Sequence, residues 1–308
     1  MQLRTRRWQI VTRRENERMP NQRAKPTLRR RRLGGLLADC RDKAGLSGEE
    51  AATRLGWHHT KLSKMENARA GVTPKDIDLL MHTYGVTDTN LISALQGLAR
   101  DAGKQGWWST YGDVVANPYG DYLSLEKDAT NIRFYGGHLV PGLLQRPGYA
   151  KAIITGTAMP PRTPHQVEAL VDVRMARQAV LSRSDRPPLK LRAVIHQSVL
   201  QQGGEDPSVM LDQLNHLLYM SERTNITIQV MPMSAGAHPG LLGLFSVVDF
   251  ETPWPTLVHL ENILGGTFVE GTADVQQFGD AFEAIVTDAL SVDASRKVIM
   301  KRIEEIRR

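Results

Sequence analysis

Residues 46–71 read LSGEEAATRLGWHHTKLSKMENARAG, and the fold turns on how this stretch divides. Ser47 precedes Glu50 by three, the capping-box spacing in which each side chain satisfies the other's exposed backbone N–H. The spacing predicts a short helix that runs to Leu55 and stops at Gly56. A second helix follows from about His58 to Asn67, and Gly71 breaks the chain after it. On a wheel of about 100° per residue, Leu62 and Met65 point one way while Thr60, Ser63, Lys64 and Asn67 point the other. The stretch therefore reads as helix, turn, helix with a polar, short-chained and cationic outer face.

Working outward, Leu33, Leu36, Leu37 and Cys40 recur at helical spacing between Leu28 and Gly45, which gives an earlier helix. Downstream, Thr73 and Pro74 open a fourth helix, in which Ile77, Leu79, Leu80 and Met81 lead to Tyr84 and Gly85. Leu91, Ile92, Leu95 and Leu98 mark a fifth. Residues 28–100 are thus expected to form an all-α five-helix helix-turn-helix domain. A lone helix with such an outer face is ordinarily just solvated. The five-helix setting instead assigns that face to base edges and phosphates in a major groove.

The rest of the chain bounds the function. At 308 residues it exceeds what one core usually organises, so two domains are expected. With 41% hydrophobic and 23% charged residues it has the balance of a folded soluble protein. No apolar run reaches the roughly 20 residues of a membrane span, and no secretion signal is legible, which places the chain in the cytoplasm. The single cysteine, Cys40, cannot form an internal disulfide or a CxxC metal site.

The net charge of +6 is local. Residues 1–32 hold twelve Lys/Arg against Glu15 and Glu17, a net of +10, which leaves −4 for the remainder. Residues 1–27 carry Pro20 and Pro26 without apolar periodicity and read as a disordered basic arm of the kind that lies along phosphates. Met19 is an alternative start, which would set residues 1–18 outside the native chain.

Residues 101–122 mix glycine with Trp107, Trp108, Tyr111, Tyr119 and Tyr122 and read as a connecting segment whose aromatics pack on a domain. Residues 123–308 are expected to form an α+β domain with a small mixed sheet. A helix runs through Ile132, and a long one from about Pro164 to Leu181; strands begin only afterwards. LKLRAVI (189–195) and NITIQVM (225–231), joined by a helix from about Pro207 to Arg223, should pair in parallel through a right-handed crossover. LFSVVDF (244–250), TLVHL (256–260) and TFVE (267–270), linked by short turns, should pair antiparallel, and two helices close the chain.

The helix-turn-helix unit resembles the Xre or phage-repressor class, whose signature at the end of the recognition helix is matched by MENARAG (65–71). The resemblance implies that the base-reading positions fall on His59, Thr60 and Lys64, with Lys61 and Ser63 on the flank. His58 takes the capping position that is usually serine or threonine. Asn67 shares the outer face, and Arg69, just past the helix, suits a phosphate. Gly48 departs from the glutamine common there, so backbone N–H groups at that helix start would have to meet phosphate instead. One recognition helix reads few base pairs, so a homodimer on double-stranded DNA is expected.

The resemblance continues through YLSLEKDATNIRFYGGHLVPGLLQRPGYAKAII (122–154), VEALVDVRMARQAVL (167–181), LRAVIHQSVL (191–200), ITIQVMPMSAGAHPGLLGLFSVVDF (226–250) and LGGTFVE (264–270). These segments are similar to a large actinobacterial family of antitoxin-like Xre regulators that includes the WhiJ-type developmental regulators. That similarity implies a C-terminal domain that senses a ligand or binds a small companion protein; a protein whose main role is restraining that companion is the alternative. Gln197 stands where the family often has glutamate. An enzyme is the less favoured reading, because His196, His216, His238 and His259 are scattered and no HExxH, GxSxG or phosphate loop is present. No catalytic residue, cofactor or metal is expected.

Overall fold

The computed structural model describes residues 27–102, 106–112, 114–115, 117–202, 206–262 and 265–308. The basic arm read at 1–27 lies outside the described residues except for Thr27. Five helices follow: α1 (Leu28–Lys43), α2 (Gly48–Leu55), α3 (His59–Glu66), α4 (Pro74–Thr83) and α5 (Thr89–Asp101). Each boundary has a local cause. Ser47 and Glu50 form the capping box of α2, Gly56 ends that helix in the left-handed conformation at φ 63°, and Thr73 and Asp76 make a second box at α4. Leu33, Leu37, Leu62, Ile77, Leu80, Met81 and Leu95 close the core of this unit. Cys40 packs against that core from α1.

A 3₁₀ turn, Trp107–Tyr111, leads into α6 (Asn117–Asp128). Trp108, Tyr111 and Tyr119 pack with Val114, Leu123, Ile154, Val167 and Leu170, so the aromatic segment rests on the C-terminal domain. The elements that follow are β1 (Asn131–Gly136), α7 (Pro147–Thr157), α8 (Pro164–Ala176), β2 (Lys190–His196), α9 (Pro207–Met220) and β3 (Ile226–Met231). Then come β4 (Phe245–Asp249), β5 (Leu257–Asn262), β6 (Gly265–Val269), α10 (Thr272–Asp288) and α11 (Val292–Arg307). The strands form one six-stranded mixed sheet in the order β3-β2-β1-β4-β5-β6. β1, β2 and β3 run parallel; β1–β4, β4–β5 and β5–β6 are antiparallel. The chain is α+β overall. Among the described residues no helix is long and apolar enough to cross a membrane.

The crossover β2–α9–β3 and the antiparallel β4–β5–β6 agree with the sequence pattern. Two expectations do not hold. The helix read through Ile132 ends at Asp128, and residues 131–136 become β1, the strand at which parallel and antiparallel halves meet. Non-local pairing decides this: Thr130 already donates to Asp249 O at 2.9 Å, and its own carbonyl accepts from Lys190 N at 3.0 Å. The long helix from Pro164 tightens to a 3₁₀ turn over Arg177–Leu181.

Helices cover both faces of the sheet. On one, Ile132, Leu191, Ala193, Ile195, Ile228 and Val230 pack with α9 and α11 through Leu214, Leu217, Ile299 and Ile303. On the other, Tyr135, Val194, Val247 and Val258 meet Phe282 and Ile285 of α10. The first turn of α1 docks into this domain. Leu28 joins its core, the Leu28 N–H donates to Asp121 Oδ1 at 3.2 Å, and Arg29 pairs with Asp128 and donates to Ser124 O. Arg32 is 5% exposed, its guanidinium 4.4 Å from the ring of Phe250 and 4.6 Å from that of Trp254, with Pro255 O as an acceptor and Glu270 at 3.4 Å. Burial pushes its pKa down to about 10. Arg29 and Arg32, which follow the basic arm read at 1–27, therefore bind the two domains together.

Candidate nucleic-acid interface

α3 is held in place from behind. Leu62 is fully buried and Met65 nearly so, and both belong to the side of the helix that meets α1 and α2. Gly34 of α1 sits so close to the end of α3 that a Cβ there would lie 2.2 Å from Glu66 O. Beside that contact the Arg41 fork grips Glu66, Nε to Oε1 at 2.8 Å and Nη2 to Oε2 at 3.1 Å, while Arg41 Nη1 donates to Leu46 O at 2.8 Å. The charged end of α3 is thereby locked to α1 and to the α1–α2 turn. This role of Glu66 had no local signal, because Arg41 lies 25 residues away.

Both ends of α3 are closed by local hydrogen bonds. His58 is the N-cap, its Nδ1 accepting the Thr60 N–H at 3.2 Å, so the histidine performs the bond that serine or threonine would make. At the other end Ala68 takes the left-handed conformation at φ 58°, which turns the Arg69 and Ala70 N–H groups back onto Lys64 O at 2.7 and 3.0 Å.

The remaining side chains sort by what they touch. His59, Thr60, Lys64 and Asn67 are exposed on one face, with Ser63 half-buried among them and Arg69 exposed just beyond. Asn67 Nδ2 donates to Ser63 O at 2.8 Å and lies 3.4 Å from Ser63 Oγ, which leaves its carbonyl oxygen as the outward group. Lys61 is drawn aside: its ammonium lies 3.5 Å from the Trp57 ring centroid and 3.5 Å from Asp76 Oδ1. Asp76, which also accepts two bonds from Thr73, is held below the usual carboxylate range by those bonds against the opposing pull of its burial.

At the start of α2 a Cβ on Gly48 would approach His59 Nε2 to 3.1 Å. Glycine at 48 and histidine at 59 are therefore matched, the ring occupying space that a side chain at 48 would claim. Glu50 turns its carboxylate back to the Ser47 N–H at 2.8 Å, and that bond and the Ser47 hydroxyl hold it below its ordinary range. The first N–H groups of α2, at Gly48 and Glu49, have no intrahelical partner and are the donors that this arrangement presents to an anion.

Two histidines of the C-terminal domain have local partners. His196 Nδ1 lies 2.7 Å from Ser198 Oγ and accepts the Ser198 N–H, and the neighbouring Gln197 Oε1 accepts the Met233 N–H at 3.0 Å. His259 lies between the rings of Tyr122 and Phe268. Among the described residues no three His, Cys, Asp or Glu side chains gather into a metal-binding group.

Comparison with known proteins matches two parts of the chain. Residues 32–95 match a family model described as a helix-turn-helix domain, and residues 119–301 match one described as a domain of unknown function, DUF5753. No curated protein and no solved structure matches the chain. A helix-turn-helix domain of this kind points to a DNA-binding regulator.

Proposed function

We propose that this chain, which belongs to the DUF5753 family and carries a helix-turn-helix domain ahead of it, is a sequence-specific transcriptional regulator that binds DNA as a homodimer. The observation that carries this reading is the face of α3, where His59, Thr60, Lys64 and Asn67 are exposed together on a helix whose opposite side, Leu62 and Met65, is buried. In a major groove Lys64 would donate to guanine O6 and N7, and the Thr60 methyl and hydroxyl would meet a neighbouring base edge. Arg69 and the first N–H groups of α2 would take the flanking phosphates and set the register without reading sequence. Residues 123–308 are read as the sensing unit that modulates this binding.

The test is to replace Thr60 or Lys64 by alanine. Neither side chain supports the core, so both variants should melt as the parent does. Each should lose about 1–3 kcal/mol on the preferred operator, with a smaller loss on scrambled DNA. Parent-like binding of both variants to both DNAs would mean that the face is merely solvated.

A further inference from the structure

Between α6, the β1–α7 connection and the sheet lies a cavity of about 120 Å³. Ile132, Phe134, Leu143, Ile154 and Leu191 supply its apolar wall. Its two arginines differ. Arg177 is committed: its guanidinium forks onto Glu126, Nε to Oε1 at 2.7 Å with a second bond from Nη2, and Nη1 donates to Tyr119 Oη at 3.2 Å. Arg174 spends one nitrogen, Nη1, on Gln145 Oε1 at 2.9 Å. Its Nε is buried without a hydrogen-bond partner, and among the described residues no carboxylate pairs with it. Its Nη2 has no hydrogen-bond partner among the described residues either, so the guanidinium keeps a charged donor for a carboxylate in the cavity. Glu261 also lines the cavity and would repel a second acid group.

We infer that this cavity binds a small monocarboxylate, its acid group on Arg174 and its apolar body against Ile132, Phe134, Leu143 and Ile154. An apolar cavity of about 150 Å³ accepts benzene, so the body here is limited to about one ring or a short branched chain. The remaining polar lining suits this ligand: burial and the nearby Arg177 cation push His259 down to about 4, so its imidazole is neutral and adds no competing charge. The site lies on α6, which links it to the DNA-binding domain. Tyr119, Tyr122 and Glu126 turn one face of α6 to the cavity and its Arg177, whereas Asp121, Ser124 and Asp128 on the opposite face hold Leu28 and Arg29 of α1. This inference rests on the reading of the C-terminal domain as a sensor, and names its ligand class.

The experiment titrates the full chain with benzoate, phenylacetate and isovalerate, each beside its amide, by calorimetry, with Arg174→Met in parallel and operator affinity measured with and without acid. At least one acid should bind about tenfold or more tightly than its amide, and Arg174→Met should remove that preference. Saturation with the acid should shift operator affinity about fivefold or more. Arg174→Gln, which keeps an amide donor for Gln145, serves if Arg174→Met fails to fold. Equal affinity for acids and amides, or acid binding indifferent to Arg174, overturns the site, as does silence from all six probes. Acid binding as expected with unmoved operator affinity keeps the site and overturns the sensor reading.

Discussion

Adjacent residues of the signature have opposite duties: Glu66 accepts the Arg41 fork inside the domain, while Asn67 faces out. A residue's chemistry here follows from which side of its helix it occupies, and burial sets the consequence. His259 makes that consequence measurable. Its folded imidazole titrates at about 4, against 6.5 when free, because burial and the Arg177 cation both oppose its charge. Below pH 6.5 the unfolded chain takes up this proton and the folded chain does not. Stability therefore falls as pH falls and stops falling from this cause once the folded ring protonates near pH 4. Unfolding in urea should show the parent losing roughly 2 kcal/mol more than His259→Leu between pH 7 and about 4.5. Equal losses would contradict the burial of a neutral ring. The capping roles of Ser47, Glu50 and Thr73 were legible from local spacing, and that of His58 from the resemblance to the phage-repressor class. Arg32 and Arg174 were not, since nothing in the flanking sequence distinguishes a buried arginine from a solvated one.

At the scale of elements, α1 and α3 meet backbone to backbone at Gly34, and α3 owes its pose to that contact. Gly34→Ala would drive a methyl into Glu66 O and should cost about 1–3 kcal/mol while weakening all DNA binding, because α3 must shift. Gly35→Ala meets nothing within 4 Å and should be neutral or stabilising by up to about 1 kcal/mol. Thermal melts of the pair decide it, and equal melting temperatures would mean that the helices can part without cost. The five N-terminal helices were readable because each carries a helical apolar spacing, and α2 and α4 also carry their own start and stop. β1 was not. Its NIRFYG follows α6 with no glycine or proline between, and its strand state is imposed by β2 on one side and β4 on the other, both distant in sequence. β2 through β6 were readable because β-branched runs bounded by turns mark them locally.

Across the whole molecule one helix belongs to two cores: Leu28 packs in the C-terminal domain, and Leu33 and Leu37 in the DNA-binding domain. Arg32 fixes this junction between Phe250 and Trp254. Arg32→Ala should cost on the order of 2 kcal/mol of docking and split one calorimetric transition into two; a single transition at the parent's temperature would contradict the lock. In the proposed dimer such a junction would let the C-terminal domain set how two copies of α3 stand relative to each other, as reading two half-sites demands. Whether this chain reads DNA sequence through α3 as a homodimer is decided by selecting bound duplexes from a random pool with the full chain. Two half-sites about 10 base pairs apart, centre to centre, should be enriched, and Thr60→Ala combined with Lys64→Ala should alter or lose the motif. A parent that enriches no shared sequence, or a double variant that enriches the parent's own motif, would contradict that reading.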